Sequence, residues 1–153
     1  MTPSVTFRSP AREHLDQVSV RLWERFAGKD EPSEPPEQFA ARFLEWCEAH
    51  ERSHRPLVGV IDGDDVVAYG FIALTERVPR ADNPLRLSAD IQSVWVRPDL
   101  RNAGIGGRLI DALVESAREA GAEFVTVHSS PGAVTAYERA GFEHDRLMMF
   151  QGL

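Results

Sequence analysis

The chain has 153 residues, with 17 basic against 24 acidic side chains, and a formal net charge of −7. That excess of carboxylates would repel nucleic acid, and no basic block offsets it. The sequence has no run of eighteen apolar residues and no basic-then-apolar leader, so neither a membrane span nor a secretory signal is expected. The single cysteine, Cys47, has no internal disulfide partner and suits a reducing, cytoplasmic setting. The length predicts one domain over residues 1–153.

Residues 5–8 read as a short strand. Ser9 is placed to cap the following helix, with Pro10 at its first position and Leu15, Val18, Leu22 and Phe26 along one face. The stretch 28–36 (Gly-Lys-Asp-Glu-Pro-Ser-Glu-Pro-Pro) is a polar loop. Phe39, Phe43, Trp46 and Cys47 then mark a second helix. Two strands, 57–61 and 66–74, flank Asp62-Gly63-Asp64-Asp65, which reads as a hairpin turn, and residues 75–86 form a loop.

A strand over 89–96 ends at Arg97-Pro98-Asp99, because proline cannot continue a ladder. Next come Arg101-Asn102-Ala103-Gly104-Ile105-Gly106, and Leu109, Ile110, Leu113, Val114, Ala117 and Ala120 keep helical spacing up to a Gly121 stop. Glycines ahead of a helix allow a sharp turn and close backbone approach, and the helix's first N–H groups suit a phosphate. Arg101 and Arg108 flank that turn. Residues 104–109 lack the third glycine of a dinucleotide fingerprint, and no Gly-Lys-Ser/Thr follows. A short strand at 124–128, the Ser129-Ser130-Pro131 connection, a helix over 133–140 closed by Gly141-Phe142, and a final strand at 147–150 complete the pattern.

The strand, Arg-x-x-Gly-x-Gly turn and helix resemble the acetyl-CoA-binding core of the GCN5-related N-acetyltransferase (GNAT) superfamily. Ala136-Tyr137-Glu138-Arg139-Ala140-Gly141-Phe142 is similar to its second motif, Tyr-Glu-x-x-Gly-Phe. The resemblance is strong over residues 89–143. It implies an α/β (α+β) fold: a central mixed, mostly antiparallel sheet flanked by helices, in the order β-α-α-β-β-β-α-β-α-β. It also implies acetyl-CoA as acyl donor, held by the turn Arg101, Asn102, Ala103, Gly104, Ile105, Gly106, Gly107 and Arg108 and by the strand backbone at Val94 and Val96. Ser130 stands where many members carry an asparagine on the cofactor arm.

Direct transfer of the acetyl group to a primary amine within a ternary complex follows from the resemblance, with Tyr137 as general acid; its alternative role is packing through the ring. Asp90, Gln92, Val94 and Val96 are expected to share one face of the fourth strand. Asp90 matches a glutamate position of the family's histone-acetylating branch. It is a candidate general base, a ligand for a cationic acceptor, or a solvent-facing carboxylate. Trp23, Phe26, Phe39 and Trp46 either line an acceptor pocket or pack on the sheet. No Cys/His/carboxylate set has metal-site spacing, so no metal is expected. The expected partner is a small-molecule or peptide amine, with neither nucleic acid nor membrane, and a homodimer is a family-level expectation. The alternative function is a non-catalytic acyl-CoA sensor or interaction module.

Overall fold

In the computed structural model, which describes residues 3–153, the elements run β1 (Thr6–Arg8), α1 (Arg12–Ala27), α2 (Pro36–Ala49), β2 (His54–Ile61), β3 (Asp65–Glu76), β4 (Leu87–Val96), α3 (Ile105–Glu119), β5 (Val125–Val127) and α4 (Val134–Arg139). Short 3-10 turns at Pro98–Leu100 and Pro131–Ala133 precede α3 and α4. The strands form one sheet in the order β1-β2-β3-β4-β5. β1 to β4 pair antiparallel and β5 runs parallel to β4. A parallel neighbour needs a crossover, which α3 supplies. The sheet is thus mixed and mostly antiparallel, as expected.

Helices cover both faces. On one side α3 buries Ile105, Leu109, Ile110, Leu113 and Ala117 against Val67, Ala68, Ile72, Ala89 and Ile91. These positions recur at helical spacing, which gives α3 a continuous apolar stripe. On the other side α1 and α2 bring Val18 and Phe43 onto Val58, Val60, Val66, Tyr69 and Phe71. The β2–β3 hairpin turns through Asp62, Gly63 and Asp64, with positive φ at Asp62 (48°) and Gly63 (95°).

Three local expectations are corrected. α1 starts at Arg12, and its N-cap is Ala11 rather than Ser9; the side chain of buried His14 accepts the Ala11 N–H at 2.9 Å, satisfying the end from within the first turn. Phe26 is 52% exposed, so the packing stripe of α1 stops at Leu22. Residues 147–150 form no strand: Leu147, Met148, Met149 and Phe150 are exposed, and no ladder pairs them with β5. Their apolar pattern fits a strand, but a strand forms only where a neighbour completes its hydrogen bonds. The described order therefore ends at α4.

Candidate functional site

The site begins with an irregularity in β4. Tyr69 pairs with Trp95 and Phe71 with Gln92, so β4 carries one more residue than β3 across this interval. Ser93 absorbs the extra residue with φ 56°, a β-bulge. One inserted residue reverses the side-chain alternation. Ile91, Val94 and Val96 face α3, whereas Trp95 stacks on Tyr69 on the α1/α2 side, with Gln92 paired to Phe71 and Asp90 to Ala73 on that same face. The expectation that Asp90 and Gln92 share a face with Val94 and Val96 is corrected accordingly. Simple alternation across 90–96 missed the bulge.

The bulge also ends the pairing with β5. Only Ala89, Ile91 and the intervening Asp90 have parallel partners, in Val125, Val127 and Thr126. Beyond Ile91 the two strands part and a groove of about 1070 Å³ opens between them. Val94 and Val96 form one wall, and Ser130, Ala133, Ala136 and Tyr137 the other. The Arg97 N–H bonds back to Val67, so alternation turns the peptide groups of Val96 toward the groove.

At one end the groove meets the glycine turn. Asn102 (φ 62°) and Gly104 (φ 79°) adopt left-handed backbone on either side of Ala103, and Gly104 is the N-cap of α3. Among the described residues, no oxygen accepts from the N–H groups of Asn102 to Gly107; the first helical bond runs from the Arg108 N–H to Gly104. A Cβ added at Gly106 would have only the Val96 methyl as neighbour, at 3.8 Å. The result is a set of unpaired donors at the positive end of a fifteen-residue helix, with little side-chain bulk over them. This cradle fits an anion such as a pyrophosphate.

The two arginines of the turn part company. Arg101 lines the groove and donates through Nε to the Val96 carbonyl at 3.1 Å. Arg108 instead donates to the Val5 carbonyl at 2.8 Å and lies over the Phe7 ring. Its guanidinium is committed to β1, which corrects its assignment to the cofactor.

Tyr137, on α4, is 7% exposed and packs edge-on against Phe142 while bordering the groove. Burial pushes its phenol above the ordinary value; the Arg25 cation pulls it back and the Asp90 carboxylate adds to the rise. Tyr137 therefore lies within electrostatic reach of both. Asp90 accepts hydrogen bonds from the Thr126 hydroxyl at 2.7 Å and from the Gln92 amide at 3.2 Å. Ser130 opens the turn before α4 and borders the groove.

Sequence reading missed the contribution of α1. Arg21, Arg25 and Lys29 line the groove, and their i, i+4, i+8 spacing was the available signal. Arg25 reaches the bulge and donates to the Val94 carbonyl at 3.1 Å. Of the aromatic candidates, Trp23, Phe26 and Phe39 gather around a smaller hollow of about 310 Å³ under the α1–α2 connection. Trp46 lies apart, stacked on His50 with His54 edge-on beside it. Among the described residues no cluster of His, Cys, Asp or Glu could hold a metal ion, and no helix is long and apolar enough to cross a membrane.

Comparison with known proteins agrees with this geometry. The model of the acetyltransferase (GNAT) family matches residues 15–142. An uncharacterized N-acetyltransferase of Methanocaldococcus jannaschii is 25% identical over 147 residues, covering 94% of this chain and 62% of the relative, so the chain spans less than two thirds of that protein's length. Glucosamine-6-phosphate N-acetyltransferase from Arabidopsis thaliana shares the fold at TM-score 0.75 and 17% identity, over 97% of this chain and 98% of the other. So does a predicted acetyltransferase from Clostridium acetobutylicum solved with acetyl-CoA, at TM-score 0.76 and 16% identity, over 97% and 96% of the two chains. By the family match over most of its length, this chain belongs to the GNAT family of acetyltransferases.

Proposed function

We propose that this chain is one acetyltransferase domain that moves an acetyl group from acetyl-CoA to a primary amine by direct attack in a ternary complex. The observation that carries this reading is a single groove that borders Asn102 and Gly106, within the turn of unpaired N–H groups, and also Tyr137. Asn102, Gly104, Gly106 and Arg101 would hold the pyrophosphate, with the peptide groups of Val94 and Val96 and the Ser130 segment along the pantetheine arm. Acetyl-CoA, when bound, supplies a thioester carbonyl to the attacking amine and a thiolate as leaving group.

The chain must then remove a proton from the amine, steady developing negative charge on the carbonyl oxygen, and return a proton to sulfur. Tyr137 suits the last of these roles, because its phenol, raised by burial, holds its proton at neutral pH. The backbone N–H of Val96 is the candidate to polarise the carbonyl. Asp90 is the candidate base, taking the ammonium proton directly or through a water. It would work from the α1/α2 face, opposite Val94 and Val96. Cys47 supports direct transfer: it lines a different hollow, and burial pushes its thiol up to about 11, leaving almost no thiolate at neutral pH.

Measuring acetyl-CoA binding together with CoA release across a panel of primary amines tests this reading. Turnover of at least one amine supports it. Tight acetyl-CoA binding without release on any amine would assign the fold to an acyl-CoA sensor.

A further inference from the structure

Among the described residues, seven of the seventeen basic side chains pair with a carboxylate. Arg97 is held by Asp65 and Asp99, Arg86 by Glu123, Arg42 by Glu34, and Arg21 by Glu24. Of the cations that line the groove, Arg25, Lys29 and Arg101 pair with no carboxylate among the described residues, and Arg101 belongs to the glycine turn. Arg25 is half-buried, and its one hydrogen bond, Nη1 to the Val94 carbonyl, leaves further N–H donors of the fork free. The Phe26 ring lies 5.5 Å from the guanidinium, whose remaining donors are open to an anion.

Arg25 meets the groove at the bulged part of β4, whereas the phosphate cradle follows the end of that strand. Arg21 lies over the Trp95 ring and Arg25 bonds Val94. Lys29 follows the Gly28 C-cap, in the turn just beyond the end of α1. Beside Arg25 the Tyr69 hydroxyl is fully buried and has no hydrogen-bond partner among the described residues. Arg25 biases that phenol without reaching hydrogen-bond geometry. Both Arg25 and Asp90 act on Tyr137. An amine that carries an anion can set that charge against Arg25 while its nitrogen stays in the groove that Tyr137 borders.

Resting on the acetyltransferase reading, we propose that the acceptor is an amine bearing an anionic group, a carboxylate or a phosphate, which the Arg25 guanidinium binds with Lys29 beside it. The charge of the chain as a whole favours cationic ligands. The local field at this end of the groove reverses that preference, and selects a zwitterion over a simple cation.

The test uses matched pairs: α-amino acids against their carboxamides, and phosphoethanolamine against ethanolamine. Two quantities are read for each, the rate of CoA release from acetyl-CoA and calorimetric binding to CoA-saturated protein. The anionic member of at least one pair should be favoured by about tenfold or more, as a charge-assisted hydrogen bond implies. The pair that shows it distinguishes carboxylate from phosphate. Arg25→Gln should bring that ratio close to one through KM, and Arg25→Lys should restore part of it. Equal handling of both members of every pair, or binding of none, overturns the proposal. So does an Arg25→Gln variant that weakens acetyl-CoA or slows both members by the same factor, since Arg25 would then serve the cofactor or brace the strand. Anion-selective binding without any CoA release would instead sink the acetyltransferase reading and leave the anion site standing.

Discussion

Arg25 and Val94 lie 69 positions apart, yet the guanidinium of one donates to the carbonyl of the other at 3.1 Å. That bond ties the last full turn of α1 to the bulged part of β4, where pairing with β5 has already ended. Several consequences of the site's construction are measurable.

The two motif glycines should fail in different ways. At Gly104 a side chain meets open space but the wrong backbone, φ 79°. Gly104→Ala should cost about 1–2 kcal/mol of stability, a fall in melting temperature of roughly 2–8 °C for a chain this size. Gly106 has helical backbone, and its Cβ direction leads toward Val96 with room to spare. Gly106→Val should fold with little loss of melting temperature and lose acetyl-CoA affinity by about tenfold or more, because the branched side chain covers the N–H cradle. Unchanged affinity in a folded Gly106→Val protein would remove the turn from the binding site.

Tyr137→Phe should lower kcat by about ten- to a thousand-fold with acetyl-CoA affinity nearly unchanged, since the ring keeps its packing on Phe142. The sign of the pH effect follows from the raised phenol. A group whose proton is held more tightly in the folded enzyme stays protonated past its ordinary value, so any loss of rate through Tyr137 belongs above pH 10. A descending limb near neutrality that disappears in Tyr137→Phe would contradict this. Equal kcat in both proteins at saturating substrates calls for a pre-steady-state measurement, which separates a structural tyrosine from slow product release.

Asp90→Asn preserves an acceptor for the Thr126 hydroxyl, so the fold should hold. If Asp90 takes the amine proton, the variant loses rate chiefly at neutral pH and recovers as free amine grows with rising pH. A higher KM, unchanged kcat and no recovery would make it a ligand for the ammonium.

Arg101 and Arg108 should separate binding from stability. Arg108→Ala loses the hydrogen bond to Val5 and the stacking on Phe7, a cost of about 1–2 kcal/mol, with acetyl-CoA affinity kept. Arg101→Ala should do the reverse, weakening acetyl-CoA without lowering the melting temperature. A loss of affinity in Arg108→Ala at intact stability would return that residue to the cofactor.

The sequence made the frame of the molecule legible because its signals are local. Leu109, Leu113 and Ala117 keep helical period; Asp62-Gly63 demands left-handed backbone; Gly121 stops α3 with φ 86°. The glycine turn was legible for the same reason. What escaped depends on partners distant in sequence. The facing of Asp90 hinges on one extra residue at Ser93, visible only against β3. The direction of Arg108 is decided by Val5, 103 positions away. Arg25 carried its helical spacing openly, but nothing local told which strand it would meet. Residues 147–150 have the composition of a strand, and composition does not supply a neighbour.

The bulge at Ser93 gives β4 two audiences. Residues adjacent in sequence there address opposite sides of the sheet: Val94 and Val96 toward the groove wall and α3, Gln92 and Trp95 toward α1 and α2. A codon change at Gln92, which does not line the groove, alters one side and leaves the other as it was. Substitutions that retune what is recognised on the α1/α2 side can therefore accumulate within the same ten-residue strand without passing through forms that have lost the donor cradle.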